Sequence, residues 1–351
     1  MTGPTERNPM RRSILVFAAL ATVLAATACG SAPAVNGNLT VRNCDREVSF
    51  PSPARRMFVN DSNMISMALA LGAQDQVAAV SSLGRDDVGP LRRHYGDAVD
   101  HLNQAAPESP SRETVLAQHP DVMVAGWNYG YREATDLTPD SLRQNGIAAY
   151  VLTESCRQRS GEQARGLVDP WTALRTDLGN LGAITGRTDR ASALVAEIDG
   201  RLDALRRAPR AARPPTVFVF DSAAGTIFSS GRFGGPQAVL DAAGARNALE
   251  DVSDSWTTVS WERLAASDPD AIVFVDYPPQ TFRQKVELLR NKPGIATLRA
   301  VAEQRFFNLP YTMWTSGPLN IDAAEQVRAR LERWNLLPPS EIRPRADDEA
   351  R

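Results

Sequence analysis

Short, unbroken apolar runs recur along this chain, separated by longer stretches in which apolar residues return every three or four positions. Brief apolar runs bounded by turn residues read as buried parallel strands, and the longer periodic stretches read as amphipathic helices. The pattern predicts strands at 56–60, 77–82, 122–126 and 148–152, then at 216–221, 226–230, 271–276 and 306–309. Helical patterns separate most of them, so the chain reads as α/β with two lobes. Between the lobes Ala191, Leu194, Val195, Ile198, Leu202 and Leu205 form one face of a helix of about five turns. That helix begins at Thr188-Asp189 and stops before Pro209, where residues 206–215 (RRAPRAARPP) form a connector.

A block at residues 111–121 (SRETVLAQHPD) returns 149 residues later at 260–270 (SWERLAASDPD). Both fit S-x-E-x-[VL]-x-A-x-x-P-D, and each leads into an apolar run, VMVAG or IVFV. Serine caps a short helix, glutamate sits in its first turn where the helix dipole favours an anion, and proline stops it. A second pair, ALALGAQD at 68–75 and LDAAGARN at 240–247, reads in each lobe as a helix end closed by glycine. Two blocks in the same order imply two Rossmann-like lobes of similar construction, with parallel sheets, joined by one long helix.

The amino end changes the picture. Arg7, Arg11 and Arg12 precede a run from Ser13 to Ala28 that is almost entirely apolar or small, followed by Cys29. Sixteen helical residues span about 24 Å, short of the roughly 20 residues a membrane span requires. The segment therefore reads as an export signal. Ala26-Thr27-Ala28-Cys29 resembles a bacterial lipobox, with Ala26 where leucine is usual, so lipidation of Cys29 and anchoring to the outer face of the cell membrane are expected. Arg11-Arg12 leaves both general and twin-arginine export open. The expected division is a signal at 1–28, a tether at 29–41, lobes at 42–170 and 213–336 around a helical segment at 171–212, and a disordered tail at 337–351. With Cys29 lipidated, Cys44 and Cys156 remain as an even pair in an oxidising compartment, and a disulfide is expected.

Composition excludes some partners. The chain has 351 residues and a formal charge of −2; removing the signal leaves 36 basic against 40 acidic residues. That balance gives no reason to expect nucleic acid. No G-x-S-x-G elbow, Walker loop or dinucleotide fingerprint is present. The glycine-rich stretch 231–235 (GRFGG) reads as a loop rather than a phosphate cradle. Of the three histidines, His119 sits inside the repeat opposite Asp268, and His94 and His101, seven apart, fit one helix face; two ligands with no free cysteine do not close a zinc site. Glu113 and Glu262 lie before the amino ends of strands, whereas ligands in open α/β sheets bind beyond the carboxyl ends. They suit an outward-facing anionic contact on each lobe better than catalysis.

At this point the chain resembles the substrate-binding lipoproteins of ABC importers for ferric siderophores and cobalamin. The resemblance runs from about residue 43 to 335. It rests on Asn43-Cys44-Asp45-Arg46-Glu47-Val48 before Pro51 and Pro53, on Leu69-Ala70-Leu71-Gly72, on both repeat blocks, and on residues 256–262 (WTTVSWE). It implies the class III periplasmic-binding-protein fold, a ligand between the lobes, and Glu113 and Glu262 docking on arginines of a permease that works with an ATPase. A monomer with no permanently bound cofactor and no catalytic role is expected. The chain departs from the family at Ser66, where members often carry glutamate.

Topology nominates the cleft residues. Loops beyond the expected strand ends supply Asn60, Asp61 and Ser62, then Arg85, Trp127, Tyr129, Tyr131 and Arg132, and from the second lobe Arg232, Tyr277, Tyr311 and Trp314. Aromatic faces with a few arginines suit a large, planar or anionic cargo such as a ferric chelate. Cobalamin, haem or another cofactor-like ligand is the alternative. An exported hydrolase is a third possibility that the missing nucleophile motif counts against.

Overall fold

The computed structural model describes residues 37–345; the expected signal, Cys29 and its lipidation lie outside them. The described chain opens with an antiparallel hairpin of β1 (Gly37–Asn43) and β2 (Arg46–Ser52), turned at Cys44-Asp45. The expectation of a free tether as far as residue 41 is therefore corrected. Leu39 and Val41 alternate with polar neighbours and pack on the core, which holds this stretch in the hairpin. Cys44 reaches Cys156 in a disulfide across a sequence separation of 112.

The first lobe follows as β3 (Met57–Asn60), α1 (Ser62–Ala70), β4 (Val77–Ser81), α2 (Arg85–Tyr95) and β5 (Gln104–Ala106). It continues as α3 (Arg112–Ala117), β6 (Val122–Trp127), the short β7 (Gly130–Tyr131), α4 (Pro139–Gln144) and β8 (Ala148–Val151). All pairings in its sheet are parallel, in the order β5-β4-β3-β6-β8, with β7 beside the end of β6. Every residue of β3 is buried, as expected of a strand covered on both faces.

Two helices then cross between the lobes, α5 (Pro170–Thr185) and α6 (Thr188–Arg207). At 20 residues α6 spans about 30 Å. Its expected face is buried at Ala191, Leu194, Ile198, Leu202 and Leu205, with Val195 half-buried beside them. Near its amino end Arg190 donates to the Ala70 carbonyl of the first lobe at 2.9 Å. Farther along, Arg201 donates to both Asp322 and Glu325 of the second lobe at 2.7 Å.

The second lobe contains β9 (Thr216–Phe220), β10 (Ser222–Ala223), β11 (Ile227–Ser230), α7 (Gly235–Ala243), β12 (Arg246–Asn247), β13 (Trp256–Val259) and α8 (Trp261–Ser267). It closes with β14 (Ala271–Asp276), α9 (Phe282–Asn291), α10 (Arg299–Ala302), β15 (Phe306–Pro310), α11 (Tyr311–Trp314) and α12 (Asn320–Arg333). Its parallel sheet has the order β12-β9-β14-β15. The run expected as a strand at 226–230 is a strand, but it belongs to a separate antiparallel sheet, β10-β11-β13. An apolar run does not specify its partner. Here the Ser229 hydroxyl donates to the Val219 carbonyl at 2.6 Å and lays the small sheet across β9.

Alternation along the strands sorts the core. Val217, Val219, Val273, Val275 and Leu309 face inward with Val59, Val124 and the helices α1, α5, α6 and α7 in one continuous cluster. Phe218, Phe220, Ile272, Phe274 and Phe306 point to the opposite face of the second sheet, and Phe58, Met123 and Ala125 to that of the first. The stretch from 337 to 345 was expected to be disordered and is instead held. Buried Arg328 donates to the Pro338 carbonyl at 2.9 Å, Leu337 is buried, and Ser340 donates to Glu332. A guanidinium buried to that degree needs acceptors, and the tail supplies one.

Candidate functional site

In an open parallel sheet the ligand crevice forms where the strand order reverses, beyond the carboxyl ends. In the first lobe that point lies between β3 and β6, which end at Asn60 and Trp127. Asp61 follows directly and carries φ +77. In the second lobe it lies between β9 and β14, followed by Asp221 and Tyr277. Asp61 and Asp221 thus occupy equivalent places, as do Trp127 and Asp276, which Tyr277 follows, and the seam between the lobes is the candidate ligand cleft.

Across this seam the Tyr311 hydroxyl donates to Asp61 Oδ2 at 3.1 Å, and the Thr312 N–H donates to Asp87 Oδ1 at 3.1 Å. Tyr277 and Tyr311 lie with ring centroids 4.4 Å apart. Tyr277 remains 42% exposed, whereas Asp61 and Asp87 are buried. Burial pushes both carboxyls up to about 7, and at Asp87 the neighbouring Asp61 charge adds to the effect. Asp61 Oδ1 is enclosed without a hydrogen-bond partner, and the Ser62 hydroxyl lies beside both carboxyls without a well-formed bond to either.

A second set of bridges comes from the loop after β8. Glu154, buried, accepts from the Trp256 indole N–H at 3.0 Å and from the Ser316 N–H at 3.1 Å, both in the second lobe. Arg165 donates to the Trp256 carbonyl at 2.7 Å and to the Trp127 carbonyl at 3.3 Å, and lies 3.7 Å from Asp254. Gln158 donates to the Ser253 carbonyl at 2.8 Å. The disulfide fastens this strap at Cys156. Arg157 lies 3.8 Å over the Trp127 ring and pairs with Glu133.

The nominated residues divide accordingly. Asp61, Tyr129, Tyr277 and Tyr311 are brought together at the strand ends, while Trp127 ends β6 with its ring edge-on to Tyr131 and beneath Arg157. Tyr129 is half-buried, its ring folded over Gly126, where a Cβ would lie 2.4 Å from that ring. Asn60 is a correction: it is fully buried, donating to the Tyr129 carbonyl at 3.0 Å and accepting from Ser81 and Ser82, so its amide fixes the loop. Trp314 is a second correction. It is fully buried, with its indole N–H on the Phe274 carbonyl at 3.0 Å, because the chain coils into α11 directly after β15 and turns the ring beneath the sheet. Tyr131 is likewise internal, donating to the Met123 carbonyl at 2.9 Å. Arg85, Arg132 and Arg232 are exposed; Arg132 donates to Ser109 and to the Asn128 carbonyl, and Arg232 lies 5.2 Å over Phe233. The loop 231–235 packs against the backbone of residues 252–255: a Cβ on Gly231 would lie 2.5 Å from the Val252 carbonyl oxygen.

Asp87, Glu154, Arg165, Asp221 and Trp256 escaped the sequence reading as site residues. Asp221 ends a predicted strand, and the rule that nominated Tyr277 reaches it equally. Among the described residues no group of three or more His, Cys, Asp or Glu is placed to hold a metal ion. Gly96 ends α2 between His94 and His101, so the two do not share a helix.

The sequence profile described as periplasmic binding protein matches residues 60–312, which contain both switch points and the strap. The chain belongs to this periplasmic binding protein family. No curated protein sequence matches it significantly. Among solved structures, an ABC-type Fe3+-hydroxamate transport system protein from Saccharomonospora viridis is similar at 22% identity and a TM-score of 0.70, covering 84% of this chain and 98% of that one. A periplasmic binding protein from Veillonella parvula gives 22% and 0.68, covering 84% and 97%. A periplasmic haem-binding protein from Pseudomonas aeruginosa gives 23% and 0.61, covering 85% and 99%. At these identities the likeness establishes the fold.

The protein is thus a substrate-binding component of ABC transport and not an enzyme. The family is extracytoplasmic, binds a small ligand and works with a permease and its ATPase. Among the described residues no helix is long and apolar enough to cross a membrane. The repeat blocks of this periplasmic binding protein have matched geometry. Ser111 caps α3 by accepting from the Thr114 N–H, and Ser260 caps α8 by accepting from the Arg263 N–H. Glu113 and Glu262 are exposed in the first turns. Each carboxyl is lowered first by its own backbone N–H and next by the capping serine. His119 and Asp268, at one repeat position, both take positive φ. The closing aspartates also match: Asp121 accepts from the N–H groups of Arg55 and Arg56 just before β3, and Asp270 accepts from that of Thr216 at the start of β9.

Proposed function

We propose that this chain captures a ferric siderophore or related iron chelate between its lobes and delivers it to an ABC permease. The observation that carries the reading is the grouping of Tyr129, Tyr277 and Tyr311 with buried Asp61 at the switch points of a transport-family fold. Aromatic faces of this size bind the organic framework of a chelate, and the polar groups at the strand ends fix its orientation. The metal then arrives already wrapped as part of the cargo, which agrees with a cleft that offers no multi-carboxylate cage among the described residues. The likeness to the Saccharomonospora viridis protein, named for Fe3+-hydroxamate transport, supports the same choice. Lipid anchoring through Cys29 and a monomeric state complete the proposal.

Glu113 and Glu262 are the proposed permease contacts, one on each lobe, exposed and ionised. The test of the cargo is a fluorescence and calorimetric titration of the chain lacking residues 1–29 with ferric hydroxamate and catecholate complexes, haem and cobalamin. Saturable binding at micromolar concentration or below to an iron chelate, with tryptophan quenching, is the expected result. Tight binding of haem or cobalamin alone replaces the cargo. Turnover of ester or phosphate substrates would overturn the transport reading.

A further inference from the structure

The arginines on the Trp127 side of the cleft already have partners. Arg157 pairs with Glu133, Arg165 lies beside Asp254 and donates to two carbonyls, and Arg132 donates to Ser109 and Asn128. The Tyr277 side differs. Tyr277 stacks on Tyr311 and keeps 42% of its surface exposed, an aromatic platform open to solvent. Around it stand acidic side chains from both lobes. Asp276 precedes it in the chain, and Asp61 lies under Tyr311 with one oxygen enclosed and unpartnered. Asp87 bonds the Thr312 N–H, and Asp86 lies close enough to act on both Asp87 and Asp276.

The charge felt at the platform agrees. The Tyr277 hydroxyl is pushed up to about 12, first by burial and then by Asp61, Asp221, Asp87 and Glu108, all acidic. One cation gives partial relief, since Lys285 acts favourably on both Asp221 and Asp276. Lys285 is fully buried, donating to the carbonyls of Val275 and Tyr277 at 2.6 and 3.0 Å, so its charge faces inward beneath the platform. Arg85, exposed, precedes Asp86, and Arg92 and Arg93 on α2 and Arg283 and Arg290 on α9 are exposed too.

We infer that the cleft selects cargo carrying a positive charge, with an ammonium or similar group seated on the Tyr277–Tyr311 platform among Asp86, Asp276 and Glu108. This rests on the proposed capture of an iron chelate and specifies its charge, reversing the anionic preference that the arginine positions suggest. An aromatic face holds a cation through its quadrupole, and flanking carboxylates add Coulomb attraction in a partly desolvated place.

The probe is a matched pair: the ferric complex of a linear trihydroxamate with a free terminal ammonium, and the same complex N-acetylated, which removes only the charge. Several partly exposed carboxylates acting together should give about a tenfold preference for the ammonium form, narrowing at high salt. The variant Asp86→Asn with Asp276→Asn should erase most of that preference while leaving the affinity for the N-acetyl complex within about twofold. Equal affinity for the two complexes would overturn charge selection and leave iron-chelate capture standing. Tighter binding of an anionic tris-catecholate would also overturn it and return the cleft arginines to the leading role. If no iron chelate binds at all, the proposed function fails and this inference falls with it.

Discussion

Replacing Asp61 with Asn tests whether burial governs the seam between the lobes. Asp61 is raised from 3.8 to about 7 by desolvation, with one oxygen on the Tyr311 hydroxyl and the other unpartnered. Because the folded value lies above the unfolded one, the fold keeps this proton between about pH 4 and 7, where the unfolded chain has released it. The contribution of Asp61 to stability therefore falls as pH rises through that window. A rise of this size corresponds to about 4 kcal/mol in total, of which roughly 2–3 kcal/mol is lost between pH 5 and pH 8. Asparagine imitates the protonated acid and does not titrate. Urea unfolding of ligand-free protein at the two pH values should show the stability difference, variant minus parent, growing by roughly 2–3 kcal/mol towards pH 8. A constant difference, or a variant that loses ground at pH 8, would refute the reasoning and make the ionised carboxylate an asset of the fold.

Other predictions concern the outer surface and the core. Reversing Glu113 and Glu262 to Arg together should abolish uptake in cells while ligand affinity of the purified protein stays unchanged; normal uptake would remove these residues from the permease contact. Replacing Cys44 and Cys156 with Ser should cost about 4–5 kcal/mol by chain-entropy reasoning for so long a loop, and reductant should lower the parent's urea midpoint to match. Trp314→Ala should cost about 3–5 kcal/mol as a truncation in a packed core, read as a fall in the unfolding midpoint.

How far the sequence foretold this depends on the range of the interactions involved. The helix α6 was legible because its burial repeats locally, and β3, β6, β9 and β14 were legible as apolar runs between turns. The repeat foretold both serine caps. Sheet membership of β11 was not legible, because a hydrophobic run carries no record of its partner. Trp314 stands just past a strand end, as Tyr277 does, yet a single helical turn sends its ring into the core. Glu154 and Arg165 were invisible for a different reason. Their partners Trp256, Ser316 and Asp254 lie some 90 to 160 residues away, and no local pattern links them.

Each lobe carries its serine-capped turn in the same position relative to its own sheet, so the two turns resemble the jaws of a caliper. Opening the seam would alter the span between Glu113 and Glu262 although neither turn changes internally. On the docking reading, a membrane partner with two fixed contact points gauges from outside whether the jaws are shut on a cargo, and never touches the cargo itself. A continuous core binds α5 and α6 to both sheets and would keep such travel short. On that reading the gauge would work over a narrow range, with a small difference in span separating a full carrier from an empty one.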